Sequence, residues 1–357
     1  MLRTVDNGQG FDEAPPGSDG AVRLWLYAVA ALVFLMVVVG GATRLTDSGL
    51  SITEWKPIMG AIPPLTDAAW QEAFSKYQQI PEYHHVNKGM TLEGFKLIFW
   101  WEWGHRFLGR LIGLAFGLPL VVFWLQGALR PGLGSKLAGI FLLGALQGAI
   151  GWYMVMSGLV DRVDVSQYRL ALHLLVAFLI LALLLWTAFG LAKPSEMATR
   201  PLLTEGQARM APVLVGLVLM QIALGALVAG LKAGLAYNTW PLMDDALVPD
   251  GLLRLEPRWI NLFENETLVQ FNHRLVAYAV ALIALVQAVS LWRSRTAGRA
   301  RRTAAVALLA VLAQVAIGIA TLIAAVPLWL ALLHQAGAAI VLALALRHWH
   351  MVRHGYA

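Results

Sequence analysis

Four histidines stand inside long apolar stretches of the chain: His105, His173, His273 and His334. An imidazole in hydrocarbon has no water to satisfy its ring nitrogens, so it must find a partner, and intramembrane ionisable groups mark functional sites. The four form two matched pairs, one in each half. Two neutral imidazoles are a ligand set that can hold a haem iron axially. Zinc suits them less, because it takes three or four ligands and neither half offers a third clustered donor. Cysteine is absent, which excludes thiolate ligation, cysteine-held iron–sulfur clusters, covalent c-type haem attachment and a disulfide relay.

Charged neighbours extend the same reading. Arg106 follows His105, Arg110 lies one turn further on, Arg274 follows His273, and Arg44 ends the first apolar stretch. A guanidinium offers a fixed fork of donors to a carboxylate, so these four arginines are candidate partners for the two propionates of a haem. Glu102 stands three positions before His105, on a neighbouring helical face, and its counterpart in the second half is Gln270. One half thus pairs its histidines with an ionisable carboxylate and the other with an amide. That asymmetry suits one reactive site, where Glu102 accepts protons or stabilises cationic character, and one structural or electron-carrying site. Pairing of Glu102 with an arginine at the interface is the plainer alternative. His84 and His85 read as surface residues of a long loop, and His348, His350 and His354 as a basic interfacial flank.

The elements that must position these residues are membrane helices. Of 357 residues, 59% are apolar and only 13% charged, and the mean hydropathy is +0.65, which places the chain in the membrane class. A span needs roughly 20 apolar residues, and eight segments qualify, near 23–43, 97–125, 137–160, 169–192, 211–231, 268–292, 304–325 and 327–347. The fold class is therefore an all-α integral membrane protein. Loop 293–302 carries five arginines and no acid, and 125–136 carries Arg130 and Lys136 without an acid, whereas 44–96 and 232–267 each hold six acids. Short basic loops stay cytoplasmic, so both termini are expected in the cytoplasm and the four histidines in the outer half of the bilayer. The net charge of +6 follows from that topology and implies no nucleic-acid partner. An acidic, Gly/Pro-bearing stretch precedes the first span, so no cleavable signal is expected.

The halves repeat one another. Glu102-Trp-Gly-His-Arg matches Gln270-Phe-Asn-His-Arg, Leu172-His173 matches Leu333-His334, and Gln147-Gly-Ala-Ile-Gly151 matches Gln314-Val-Ala-Ile-Gly318. Four helices per copy is an even number, so the copies relate by an axis near the membrane normal. The expected organisation is two pseudo-symmetric four-helix bundles, 22–192 and 211–348, joined by a cytoplasmic linker at 193–210 and flanked by cytoplasmic tails at 1–21 and 349–357. Gly40, Gly41, Gly148, Gly151, Gly225, Gly230 and Gly318 permit close helix approach, and Gln147, Gln221 and Gln314 can hydrogen-bond across it.

Taken together, Gly40-Gly-Ala-Thr-Arg-Leu-Thr-Asp-Ser-Gly-Leu-Ser51, Glu102-Trp-Gly-His-Arg106, the Gln147 to Leu159 segment, Tyr237-Asn-Thr-Trp-Pro-Leu-Met243, Asn272-His-Arg274 and Leu333-His334 resemble the haem A synthase family over about residues 22–348. The chain looks like the cysteine-free branch of proteobacteria, related to the mitochondrial proteins. The resemblance implies a b-type haem on His273 and His334 in the C-terminal unit, and substrate haem O or product haem A on His105 and His173 in the N-terminal unit. It implies oxidation of a haem O methyl group to the formyl group of haem A by successive hydroxylations, with Glu102 as the catalytic carboxylate. It also implies residence in the bacterial cytoplasmic membrane, among membrane lipid, with haem O synthase as the expected partner and an electron donor it does not identify; a homo-oligomer is left open. Two other classes compete. A di-haem b-type electron carrier would keep both histidine pairs without needing Glu102, and a two-repeat transporter would explain the glycines but not the histidines.

Overall fold

In the computed structural model, residues 18–160, 162–192 and 203–355 are described. The N-terminal tail expected at 1–21 and the linker expected at 193–210 lie largely outside them. Eleven α-helices follow in order among the described residues: α1 (Ser18–Leu45), α2 (Asp67–Tyr77), α3 (Pro81–His85), α4 (Leu92–Leu125), α5 (Leu133–Met156), α6 (Gln167–Gly190), α7 (Glu205–Gly230), α8 (Asn261–Glu264), α9 (Glu266–Arg293), α10 (Arg299–Ile323) and α11 (Leu328–His354). Eight of them, α1, α4, α5, α6, α7, α9, α10 and α11, are long and apolar enough to cross a membrane.

Local chemistry sets the helix starts. Thr91 caps α4 by accepting from the Gly94 N–H, Thr204 and Gln207 form a reciprocal capping box on α7, and Asn265 accepts from Thr267 and Leu268 at the start of α9. The Thr91 cap begins α4 five residues before the expected span at 97, so its first turns rise out of the apolar layer into an aromatic cap. There Trp70, Phe74, Tyr77, Phe95 and Phe99 pack together. At the opposite end α11 runs without a break through residues 349–354. His348 and His350 are buried there, His348 Nδ1 lying 2.8 Å from Thr303 Oγ1 and His350 packing on Trp186 and Phe189. The interfacial flank expected for these histidines is thus part of the packed interior.

α1, α6, α7 and α11 make the centre of the molecule, with Leu26, Val33, Leu181, Leu184, Leu214 and Leu342 in one core. α4 and α5 lie outside α1 and α6, and α9 and α10 lie outside α7 and α11. Their outer faces expose Leu114, Leu118, Leu142, Leu282, Leu285 and Leu309, as helices solvated by lipid do. Contact between the halves runs through α6 with α7 and through α11 with both α1 and α6. Gly230 is essential to the first of these, because a Cβ there would lie 2.7 Å from the Gln167 Cα. Backbone cannot step aside as a side-chain tip can. Gly230→Ala is expected to destabilise the fold by about 1–3 kcal/mol, read as a lower midpoint of thermal unfolding in detergent.

Glu82 in α3 is buried beneath the aromatic cap, and its Oε2 has no hydrogen-bond partner. Burial, reinforced by Asp47, Glu102 and Asp164 and only partly offset by Lys232, pushes its pKa up to about 8. The unfolded chain therefore releases this proton at lower pH than the folded one, and stability drains away as pH rises from the ordinary carboxylate range towards 8. Glu82→Gln is expected to stabilise the cap, more at pH 9 than at pH 5. Proteolysis of the 51–90 segment at the two pH values measures it.

Candidate functional site

All four histidines gather at the loop-rich end of the bundle, where α1, α5, α7 and α10 finish. Each faces a glycine: His105 of α4 meets Gly40 of α1, His173 of α6 meets Gly151 of α5, His273 of α9 meets Gly225 of α7, and His334 of α11 meets Gly318 of α10. Every one of these glycines stands five residues before the last residue of its helix, at Leu45, Met156, Gly230 and Ile323. The four histidines therefore lie at one level of the bundle, although His105 is the fourteenth residue of α4 and not near its start. A Cβ would come within 3.0 Å of His105, 2.9 Å of His173, 3.2 Å of His273 and 2.8 Å of His334. At Gly151 and Gly318 a side chain would force the imidazole to shift, and at Gly40 and Gly225 it would fit only tightly.

Across the bundle His273 of α9 meets His334 of α11. The rings of His273 and His334 are 6.5 Å apart between centroids. Metal–imidazole bonds of about 2.0 Å on either side of one ion, with the ring radii added, give a separation of about 6 Å. Among the described residues no three His, Asp or Glu side chains cluster as a metal site.

The surroundings of the imidazoles fit coordination. Gln147 Nε2 lies 3.1 Å from His173 Nδ1 and donates to the His173 carbonyl at 2.8 Å; Gln314 does the same to His334 at 3.1 and 2.7 Å, and Gln221 to His273 at 3.1 and 3.0 Å. The Oε1 atoms of all three glutamines are buried and lack a partner. The amide nitrogen is the atom set at Nδ1. A metal on Nε2 would leave a proton on Nδ1, and a turn of the amide that brings the orphaned Oε1 there would accept it in exchange for the bond to the histidine carbonyl. Partners of this kind orient metal-bound histidines. From the sequence these glutamines are expected to hydrogen-bond across close-packed helices. The signal that could have separated them is a glutamine four residues before each of Gly151, Gly225 and Gly318.

The charged residues expected around the site hold loops. Glu102 is buried; its Oε2 accepts from Ser51 Oγ at 2.7 Å and from the Ile52 N–H at 2.6 Å, and its Oε1 pairs with Arg106. Arg106 also donates to the carbonyls of Ile52 at 2.7 Å and Glu54 at 2.9 Å. In the second half Gln270 and Arg274 both donate to the Tyr237 carbonyl at 3.1 Å, and Arg274 reaches the Leu242 carbonyl at 3.3 Å. The same pair of positions, four apart on a helix, thus clamps the loop that follows the preceding span in both halves. Arg110 donates to the Pro57 carbonyl at 2.7 Å and Arg44 to that of Ala229. The Nε of Arg274 and one Nη of Arg110 are buried without a partner, so both guanidiniums keep donor capacity beyond their loop bonds.

One further contact links the halves beside the histidines. Gln335, next to His334, donates to the Val37 carbonyl of α1 at 2.6 Å, and its amide lies where a Cβ on Gly41 would clash.

Residues 23–346 match the profile of the "Cytochrome oxidase assembly protein" family, COX15-CtaA. A Chelativorans sp. protein named "Heme A synthase" is 57% identical over 339 residues, covering 94% of this chain and 92% of its own. The Mesorhizobium japonicum protein of that name is 55% identical over 335 residues, covering 94% and 91%, and the Brucella ovis one is 52% identical over 336 residues, covering 94% and 93%.

Proposed function

The chain belongs to the cytochrome oxidase assembly protein family that includes the haem A synthases, and as a haem-modifying membrane enzyme we propose that it oxidises a methyl group of haem O to the formyl group of haem A. The observation that carries this reading is the repeated arrangement of four histidines against four glycines, with a carboxylate beside only one pair. The proposed course is two successive hydroxylations with dioxygen as oxidant, each placing one oxygen atom on the methyl carbon while two donor electrons and two protons reduce the other to water. The alcohol is followed by a hydrated aldehyde that loses water.

The two halves act as pseudo-symmetric four-helix units, 22–192 and 211–348, with both termini in the cytoplasm and the histidine-bearing end facing outward. His105 and His173 hold the substrate. His273 and His334 hold a resident b-type haem, which when bound supplies one-electron redox chemistry. Gln221 and Gln314 fix the imidazole orientation of that second pair. Glu102 contributes a fixed negative charge near the reacting group and holds Ser51 and Ile52 over the site, because its oxygens already accept three hydrogen bonds. Arg106, Arg110, Arg274 and Arg44 combine loop anchoring with attraction of propionates. Haem O synthase delivers the substrate and a membrane electron donor feeds the second unit.

Expression in a bacterial host that makes haem O but lacks haem A tests the activity. Haem A in the extracted pigments is expected. Its absence, with the chain present in the membrane and haem O abundant, overturns the proposal.

A further inference from the structure

Three of the four site histidines are tethered by glutamine, and the fourth is not. Gln147, Gln221 and Gln314 stand four residues before the glycines that cradle His173, His273 and His334; four residues before Gly40, the glycine of His105, stands Met36. The Met36 side chain reaches α4 at the same level as the glutamines reach their helices. Its methyl carbon would lie 3.5 Å from a Cβ on Gly109, one turn beyond His105. A thioether has no N–H to donate and is only a weak acceptor, and among the described residues no hydrogen bond ties the His105 ring to a neighbouring helix.

The orientation of the ring records the difference. At Gly151 and Gly318 the nearest imidazole atoms are Cε1, at 2.9 and 2.8 Å, then Nδ1, at 3.4 and 3.3 Å; at Gly225 they are again Cε1 at 3.2 Å and Nδ1 at 3.7 Å. At Gly40 the order is Nε2 at 3.0 Å, Cδ2 at 3.4 Å and Cε1 at 3.9 Å. A half-turn of an imidazole about its bond to Cβ exchanges Nε2 with Cε1 and Nδ1 with Cδ2. His105 therefore occupies the same slot as the others, turned over. Gln147 and Gln314 contact their rings at Nδ1, and Gln221 lies 3.1 and 3.2 Å from Nδ1 and Nε2 of His273; at His105 no glutamine holds the ring.

We infer that Met36 makes His105 the releasable ligand of its pair, so that the N-terminal site exchanges haem while the doubly tethered C-terminal site retains it. The inference rests on the reading that His105 and His173 hold the substrate. An untethered imidazole must lose rotational freedom each time it ligates, and a partner on the outer nitrogen of a metal-bound histidine contributes about 10–100-fold in metal affinity. A site that takes up haem O and gives up haem A is served by one firm ligand, His173, and one that lets go. A site that keeps its haem is served by two firm ligands.

The test uses purified full-length protein loaded with ferric haem b, with haem loss to excess haem-capturing globin followed by absorbance. Wild type is expected to lose haem in two phases. Met36→Gln should slow the fast phase about 10–100-fold, and Met36→Leu, which also lacks a donor, should leave it unchanged. Gln221→Met should speed the slow phase by a similar factor and so tests the principle without altering α1. An unchanged fast phase in Met36→Gln, or equal slowing by Met36→Leu, overturns the inference. If wild type converts haem O but Met36→Gln releases haem as wild type does, only the role of Met36 fails. If wild type binds haem at neither pair, the functional reading fails with it.

Discussion

Replacing His273 or His334 by alanine is expected to remove the resident haem and with it nearly all turnover. Their rings are 6.5 Å apart and each is held by its own glutamine, which is the arrangement that the proposed haem requires of its two ligands. Losing a partner of a metal ligand costs about 10–100-fold in affinity or activity, and losing the ligand itself costs more. Haem A formation should therefore fall by more than about 100-fold, and the low-spin absorbance of the C-terminal site should disappear. Haem added in excess should still bind at His105 and His173. The spectra of the purified variants check both statements, and a His334→Ala protein with wild-type turnover would remove the second unit from the reaction.

Glu102→Gln should produce the second largest loss with a different signature. The carboxylate takes hydrogen bonds from Ser51 and Ile52 and pairs with Arg106. An amide can accept some of these bonds, but its N–H group then faces the guanidinium. Removing one partner of a buried ion pair costs about 3–5 kcal/mol, and here that cost falls on the loop over the N-terminal site. Product formation is expected to drop by about 100-fold while the C-terminal haem spectrum is retained. Gln270→Glu, the reciprocal change, should leave turnover within a few-fold of wild type. Chromatography of haem products beside absorbance spectra separates the two effects, and unchanged turnover in Glu102→Gln removes this residue from the active unit.

Much of this was legible in the sequence because membranes impose strict periodic constraints. The eight spans followed from apolar length alone, since lipid forces every backbone group into helices. The histidine pairs followed from the internal repeat, and the expectation of a common depth from the charges of the loops. What escaped notice depended on backbone partners. Glu102, Arg106, Gln270 and Arg274 spend their hydrogen bonds on Ile52, Glu54, Tyr237 and Leu242, mostly on main-chain groups, which carry no side-chain signature. The early start of α4 was hidden for a related reason: Glu93 and Lys96 argue against a span, yet Thr91 caps the helix and Phe95 and Phe99 anchor it outside the apolar layer. His348 and His350 looked like a basic flank from their arginine neighbours. Their burial comes from contacts with α6 and α10, through Trp186, Phe189 and Thr303, which proximity in sequence does not reveal.

The central claim is that the histidine-bearing end oxidises haem O. Purified protein carrying its resident haem, loaded with one equivalent of haem O and supplied with reductant in air, tests it most directly when the extracted haems are separated by chromatography over time. The account predicts that haem O declines, an alcohol derivative rises and falls, and haem A accumulates last, with all of this about 100-fold slower in Glu102→Gln. Haem O recovered unchanged from wild-type protein that is loaded and demonstrably reduced would contradict it.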